Sequence, residues 1–489
     1  MSNNVAAGRM SSRRLLILAS IALTVAGMAS VTRFAMAQEP GRFTSAGSVG
    51  NERAYHAATT LADGRVLITG GADGFFPLDT AEVYDPTTDE FADTGDMAEG
   101  RFGHRSTLLP DGRVLITGGQ TENDRFIENA EVYDPTTGEF TAVEPMSAGR
   151  SQHSSTPLPD GRVLIAGGFS TSFKFLDSAE LFDPSTAMFT ETGSLSIPRS
   201  HHMAMVLMDG RVLLSGGFTD GETISALTIY DPVQGTFVDV GHMAEERAAH
   251  SATLLDDGRV LLAGGVGTET QARLAEAPLN NAEVYDPVSG EIAFVPRGML
   301  PRSWHTATLL PNGKVLIAGG TAAGSGVYGI AGIYDPERNR FALGESLAVA
   351  RNSHTASRLN DGSVLLVGGL IRGQAFTSSA ERYVPEAVAP TPTPLPPAPT
   401  VAPTPAVPTV EPTPTEKVTP APAVAALATA APAIENSTPP AIVESTPVTP
   451  PTSSGACSAG GHGFETAHLA LMLLPAGLAT HVARRRRQR

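Results

Sequence analysis

One motif recurs at an almost fixed interval through most of this chain, and it limits the fold more than any other feature. Arg-x-x-His begins at Arg53, Arg101, Arg150, Arg199, Arg247, Arg302 and Arg351. A Gly-Gly pair follows each, beginning at Gly70, Gly118, Gly167, Gly216, Gly264, Gly319 and Gly368. Both series step by 48, 49, 49, 48, 55 and 49 residues. Each unit closes on Tyr-Asp-Pro or a relative, at Tyr84, Tyr133, Phe182, Tyr230, Tyr285, Tyr334 and Tyr383. Self-similarity at such a period marks a repeat architecture, in which each unit buries its apolar surface against its neighbours.

Each unit reads as four short strands. The first follows the His, where small residues prevail, as in Ala57-Ala58, Ser154-Ser155, Ser251-Ala252 and Thr306-Ala307. Strands that converge on a central axis need small side chains. A tight turn follows with Asp-Gly or Asn-Gly (Asp63, Asp111, Asp160, Asp209, Asp257, Asn312, Asp361), residue types that tolerate positive φ. The second strand, Arg-Val-Leu-Ile-x in its commonest form, is continuously apolar and is expected to be buried on both faces. The third is Ala-Glu-Val-Tyr, ended by Asp-Pro because proline cannot continue a ladder. The fourth carries a Phe, as at Phe91 and Phe140.

A four-stranded unit of about 49 residues repeated seven times predicts an all-β, seven-bladed β-propeller. The double glycine, the later Tyr, the aromatic after it and the Arg before the next unit resemble kelch repeats over roughly 41–385. The usual Trp of the fourth strand is Phe here. The region also resembles the central propeller of galactose-oxidase-like proteins. The last unit stops at Val384-Pro385 without a fourth strand, and Phe43 precedes Arg53 by ten residues as Phe91 precedes Arg101. The N-terminal strand is therefore expected to complete blade seven and remove a free edge.

Both ends read as addresses. Residues 1–37 fit a signal peptide: Arg9, Arg13 and Arg14, an apolar stretch from Leu15, and Ala35-Met36-Ala37 before Gln38. An uncleaved anchor is the alternative. Residues 38–385 form the propeller. Residues 386–455 are a stalk rich in Pro and Thr, expected to be disordered and extended, reaching on the order of 200 Å. Residues 456–489 join an apolar run near Ala467–Ala483 to Arg484–Arg487 and Arg489, a pattern expected for a short membrane helix with the rest of the chain outside. The tail resembles bacterial C-terminal sorting signals, although no LPxTG-type motif is present. Cys457, the only cysteine, is either a processing or lipidation point or incidental.

The net charge is −16, and residues 38–385 hold 44 acids against 24 bases. Such a surface disfavours nucleic acid and keeps the head soluble; a monomer is expected. No His-Glu-x-x-His, Gly-x-Ser-x-Gly or P-loop occurs. Galactose oxidase uses copper with a Cys–Tyr cross-link, and Cys457 lies far outside the repeats, so neither metal nor cofactor is expected.

Features present in every blade, such as Arg53, His56, Gly70, Gly71, Tyr84, Arg101, His104, Gly118, Gly119 and Tyr133, read as scaffold. The arginines are expected to pair with Glu82, Glu131 or Asp85, and the histidines to bond backbone. Ligand contacts are expected where the repeats differ, in the loops between second and third strands: Phe75, Phe76, Arg125, Phe173, Lys174, Phe175, Tyr328 and Arg372, with Trp304 inside its Arg-x-x-His. The blade-five loop, Val266–Asn281, is the longest. Aromatics on one face suit glycan stacking or protein hot spots. The expected role is a binding module for a protein or glycan, anchored at the cell surface. The alternatives are a carbohydrate-active hydrolase or lyase using loop carboxylates, and a purely structural surface protein.

Overall fold

The second strand of every repeat is buried along its whole length, and the architecture follows from how its two faces are covered. In the computed structural model, residues 41–386 are described apart from 75, 123–124, 172–173, 221, 268–277, 297 and 323–325. Seven four-stranded antiparallel sheets, here blades 1 to 7 with strands A to D, make up this region. Blade 1 contains A Ala57–Thr60, B Val66–Thr69, C Ala81–Asp85 and D Glu90–Asp93. Side chains alternate along strand B. Leu67 packs into the cluster shared with Met97, Val114 and Ile116 of blade 2, while Val66 and Ile68 pack against Leu365 and Val367 of blade 7. Seven such clusters fill the spaces between blades. Each fully buried aliphatic side chain contributes about 1.5–3 kcal/mol.

The ring closes between the two ends of the repeat region. Gly41–Ser48 pairs antiparallel with strand C of blade 7, Ser379–Pro385, so the fourth strand of that blade comes from the N-terminal side. Phe43 lies opposite Tyr383 with ring centroids 5.0 Å apart, as Phe91 lies 4.9 Å from Tyr84 in blade 1. Antiparallel order places all A–B and C–D turns at one end of the propeller. The B–C loops and the D–A segments carrying Arg-x-x-His share the other.

In the A–B turns only the glycine takes positive φ, +92° at Gly64. The aspartate acts through its side chain instead. Asp63 Oδ1 accepts the Arg65 N–H at 3.0 Å and its other oxygen accepts from Arg65 Nε at 2.7 Å. The Gly-Gly pair has a steric reason. Both residues have positive φ, and a Cβ on Gly70 would stand 2.5 Å from the Arg101 carbonyl oxygen of the next blade.

The repeat arginines are fully buried. Arg53 and Arg101 pair with Glu82 and Glu131 at 2.6 Å, and Arg150, Arg247 and Arg351 pair likewise with Glu180, Glu283 and Glu381. Asp85 takes no part; it accepts from Thr87. Each guanidinium also donates to the first Gly-Gly carbonyl, as Arg53 does to Gly70 at 3.1 Å. The second oxygen of Glu82 accepts the Gly50 N–H. One buried ion pair thus ties strand C, the Gly-Gly bend and the D–A segment together. Two blades depart from this. Arg199 donates to Thr228, which donates on to Asp239. Arg302 faces Gly332 where others meet Glu and instead lies over the Tyr328 ring, 4.9 Å from its centroid. Burial lowers both Arg199 and Arg302 to about 10.

The repeat histidines bond side-chain hydroxyls of the preceding blade, not backbone. His104 Nε2 lies 2.8 Å from Thr69 Oγ1, and His153 Nε2 2.9 Å from Thr117 Oγ1, both at the end of strand B. His202, His305 and His354 instead reach Ser154, Ser251 and Thr306 at the start of strand A. These two positions are cross-strand partners: Ala57 with Thr69, Arg105 with Thr117, Ser154 with Ala166, Met203 with Ser215, Ser251 with Ala263, Thr306 with Ala318, Thr355 with Val367. Every pair holds a single hydroxyl. The histidine needs one partner, and either strand can supply it. Thr69→Ala is therefore expected to destabilise the full chain by about 1–3 kcal/mol in urea unfolding. Adding Ala57→Thr, which moves the hydroxyl to the strand that carries it in blade 6, is expected to restore most of the loss. A double variant no more stable than T69A would refute this interchange.

Candidate functional site

The D–A segments meet around the axis, and their backbone forms a closed circle there. The residue before each repeat His is Tyr55, Gly103, Gln152, His201, Ala249, Trp304 or Ser353, and all seven have φ between +49° and +66°. Each N–H donates to the carbonyl of the corresponding residue in the preceding blade, at 2.9–3.2 Å, and the Tyr55 N–H closes the circle on Ser353. Six of the seven are not glycine, and holding each in this region costs roughly 1 kcal/mol or more. The circle of hydrogen bonds and the packing beneath it offset that cost. The backbone here is the same in all seven blades, while the residue differs in every one, a glycine in blade 2 and six different side chains in the others.

A cavity of about 180 Å³ lies at this circle. It is lined by the circle residues, by repeat histidines, and by Arg105 and Met203 from the first position of strand A. Trp304 is partly buried and meets His201 edge-on, with centroids 5.2 Å apart. His201 stacks on Phe169 at 5.8 Å and meets Phe218 edge-on at 5.5 Å. Its Nδ1 bonds Ser200 Oγ at 3.0 Å, while its Nε2 is buried without a hydrogen-bond partner among the described residues. Burial, reinforced by the Arg105 charge, pushes His201 down to about 3. Burial and the neighbouring repeat arginine hold the other lining histidines far below their ordinary value, so the rings are neutral.

Among the described residues Arg105 is the one cation lining this cavity. Its Nε donates to the His153 carbonyl at 2.7 Å, and Nη1 lies 3.5 Å from the His104 carbonyl. Among the described residues it has no carboxylate partner. Burial lowers it to about 10, which leaves it protonated at neutral pH.

The residues expected to bind ligand are distributed unevenly. Trp304 stands at the axial circle. Phe76 on the blade 1 loop is 46% exposed, and Lys174 and Arg372 are exposed on the loops of blades 3 and 7. Arg125 is not free: it pairs with Glu99 and ties its loop to the D–A segment. Phe175 is not on the surface. The B–C loop folds back so that Phe175 bridges Phe169, and its ring joins Phe126, Phe169 and Phe218 in a buried cluster. Tyr328 covers Arg302, in place of the missing glutamate. Phe75, Phe173 and most of the blade-five loop, 268–277, lie outside the described residues, as do the signal segment, the stalk, the tail and Cys457. Arg105, His201 and Tyr55 were missed. The signal for Arg105 was present in the position after each repeat His, which reads Ala, Arg, Ser, Met, Ser, Thr, Thr.

This geometry defines a seven-bladed β-propeller, and comparison with known proteins finds a kelch-repeat likeness in it. Residues 56–265 match the KLHDC2/KLHL20/DRC7 Kelch-repeats domain. Among solved structures, the chain is similar to a novel fungal alcohol oxidase of the AA5 family in complex with copper, at 20% identity and a TM-score of 0.57, over 71% of this chain and 76% of that one. A second, YjhT, is 15% identical with a TM-score of 0.49, over 60% of this chain and 98% of that one. Comparison with curated proteins finds no match. The oxidase shares the fold. Among the described residues no three His, Cys, Asp or Glu side chains converge.

The buried rings make stability depend on pH. Eight histidines (56, 104, 153, 201, 202, 250, 305 and 354) are depressed by burial. Unfolded, they take up protons near pH 6.5; folded, they do not. Their contribution is complete above about pH 6.5 and is lost as pH falls, by up to about 1.4 kcal/mol per unit for each ring. The urea midpoint of the full chain is expected to fall steeply between pH 7 and pH 5. A flat midpoint over that range would mean that the native rings accept protons.

Proposed function

We propose that this chain is an exported binding protein, held at the cell surface by its C-terminal segment, with the propeller presented on the stalk. Kelch propellers commonly serve as interaction modules for protein partners. The face with the axial circle is the binding face, and its ligand is a protein. One observation carries this: an invariant backbone circle displays six different side chains and one glycine. A scaffold role would repeat in every blade, whereas recognition needs asymmetry. Trp304 and the half-exposed Phe76 supply apolar anchors of hot-spot type, and Lys174 and Arg372 supply cations on the surrounding loops. The glycan reading draws on the same aromatics. The hydrolase or lyase reading calls for two converging acids, and neither Asp nor Glu lines the axial cavity among the described residues.

The test uses the full chain, produced in an exporting bacterial host, against a panel of purified envelope proteins and glycans. Trp304→Ala combined with Phe76→Ala is expected to weaken binding of a protein at least about tenfold without lowering the melting temperature. Val233 and Val288, 93% and 95% exposed in C–D turns, lie at the opposite end. Binding lost on changing those two to Asp, and kept in the W304A/F76A variant, would overturn the assignment of the face. Binding to glycans alone would replace the protein partner by a sugar.

A further inference from the structure

Arg105 differs from the seven repeat arginines in what answers its charge. Five of those meet a glutamate, Arg199 meets the Thr228–Asp239 relay, and Arg302 meets the Tyr328 ring. Arg105 Nε donates to the His153 carbonyl and Nη1 lies 3.5 Å from the His104 carbonyl, and among the described residues no partner stands on Nη2. It lies one residue past His104, at a position where five of the other blades carry Ala, Ser or Thr and one carries Met. The groups around the cavity are neutral: histidine rings, Tyr55, Gln152, Trp304, Met203 and Ser353. One of them, His201, is more than nine-tenths buried, and its Nε2 has no partner among the described residues. A half-buried guanidinium in a cavity wall, tethered through Nε and one N–H of Nη1, keeps its Nη1–Nη2 end for a planar or tetrahedral oxyanion bound through two parallel hydrogen bonds.

We propose that the axial cavity is a binding site for one small oxyanion of the carboxylate or phosphate class, with Arg105 taking its charge. The volume of about 180 Å³ accommodates such an anion with several waters, or a small organic acid. The strongly acidic exterior does not bear on this. The anion meets a half-buried cation in a pocket that no acid lines among the described residues, and the field there is local. The site rests on the reading of this face as the binding face, and it adds the chemical group that a ligand would insert at the axis.

The experiment is calorimetric titration of the full chain with sodium acetate, phosphate and sulfate at constant ionic strength, with thermal melts in parallel. The expected result is saturable one-site binding, with competition between the anions and a melting temperature that rises with anion concentration. Arg105→Met is expected to weaken it at least about tenfold, and Arg105→Lys, which keeps the charge and loses the fork, by less. Arg358→Ala, at an exposed arginine at the far end of a strand A, is expected to change nothing. R105M is expected to melt at or above the wild-type temperature in anion-free buffer, because a desolvated charge has gone, and this separates lost binding from lost folding. Absence of saturable binding to all three anions, or equal binding by R105M, overturns the proposal. Stronger binding of acetate than of phosphate, or the reverse, names the group. The titration needs no partner, so a failed partner screen with a positive titration would retire the partner alone, and the converse would retire the anion site alone.

Discussion

The structure depends on seven arginines carried out of water between the blades. A desolvated guanidinium is tolerated only when paired and hydrogen-bonded, so each one dictates what surrounds it. The glutamate must stand on strand C at the residue facing Ile68 or its equivalent, and the first Gly-Gly carbonyl must point inward. Glycine is needed at that bend because a Cβ would strike the next blade. The glutamate's second oxygen then captures the D–A segment through a backbone N–H. A single charged group thereby sets the strand order, the bend and the entry to the following strand. The two blades without the glutamate show the same demand met by other chemistry.

Around the axis the molecule separates what repeats from what varies. The histidines and hydroxyls repeat as a relation and not as a residue, since the hydroxyl moves between two cross-strand positions. The backbone circle repeats in every blade although six of its members take a conformation that costs them energy. Their side chains are released from any common structural duty because the backbone alone holds the circle. This freedom is what lets Trp304, His201 and Tyr55 gather on one axis, and it is why the propeller can hold its shape while the mouth changes its chemistry.

The fold was legible because its determinants lie within one repeat. Val-Leu-Ile flanked by Asp-Gly and Gly-Gly specifies a buried strand and two bends by local pattern, and the offset of Phe43 from Arg53 reveals the closing strand. The Arg53–Glu82 pairing was readable for the same reason, since both groups recur at constant spacing. The site was less so. Phe175 and Tyr328 have the composition of exposed loop aromatics. One sits in a buried cluster and the other over a guanidinium, because neighbouring blades bring Phe169 and Arg302 to them.

What the sequence determined by itself is therefore the number of blades, their strand order and the closure of the ring, all consequences of short-range pattern repeated seven times. Only the tertiary structure decided which side chains meet at the axis. Those residues lie one or two blades apart in the chain, 48 positions for Arg105 and His153 and 103 for Trp304 and His201, and nothing in the local pattern links them. Their proximity comes from the sevenfold convergence of strands, where a cavity that no acid lines among the described residues gives one arginine a setting unlike that of the other seven.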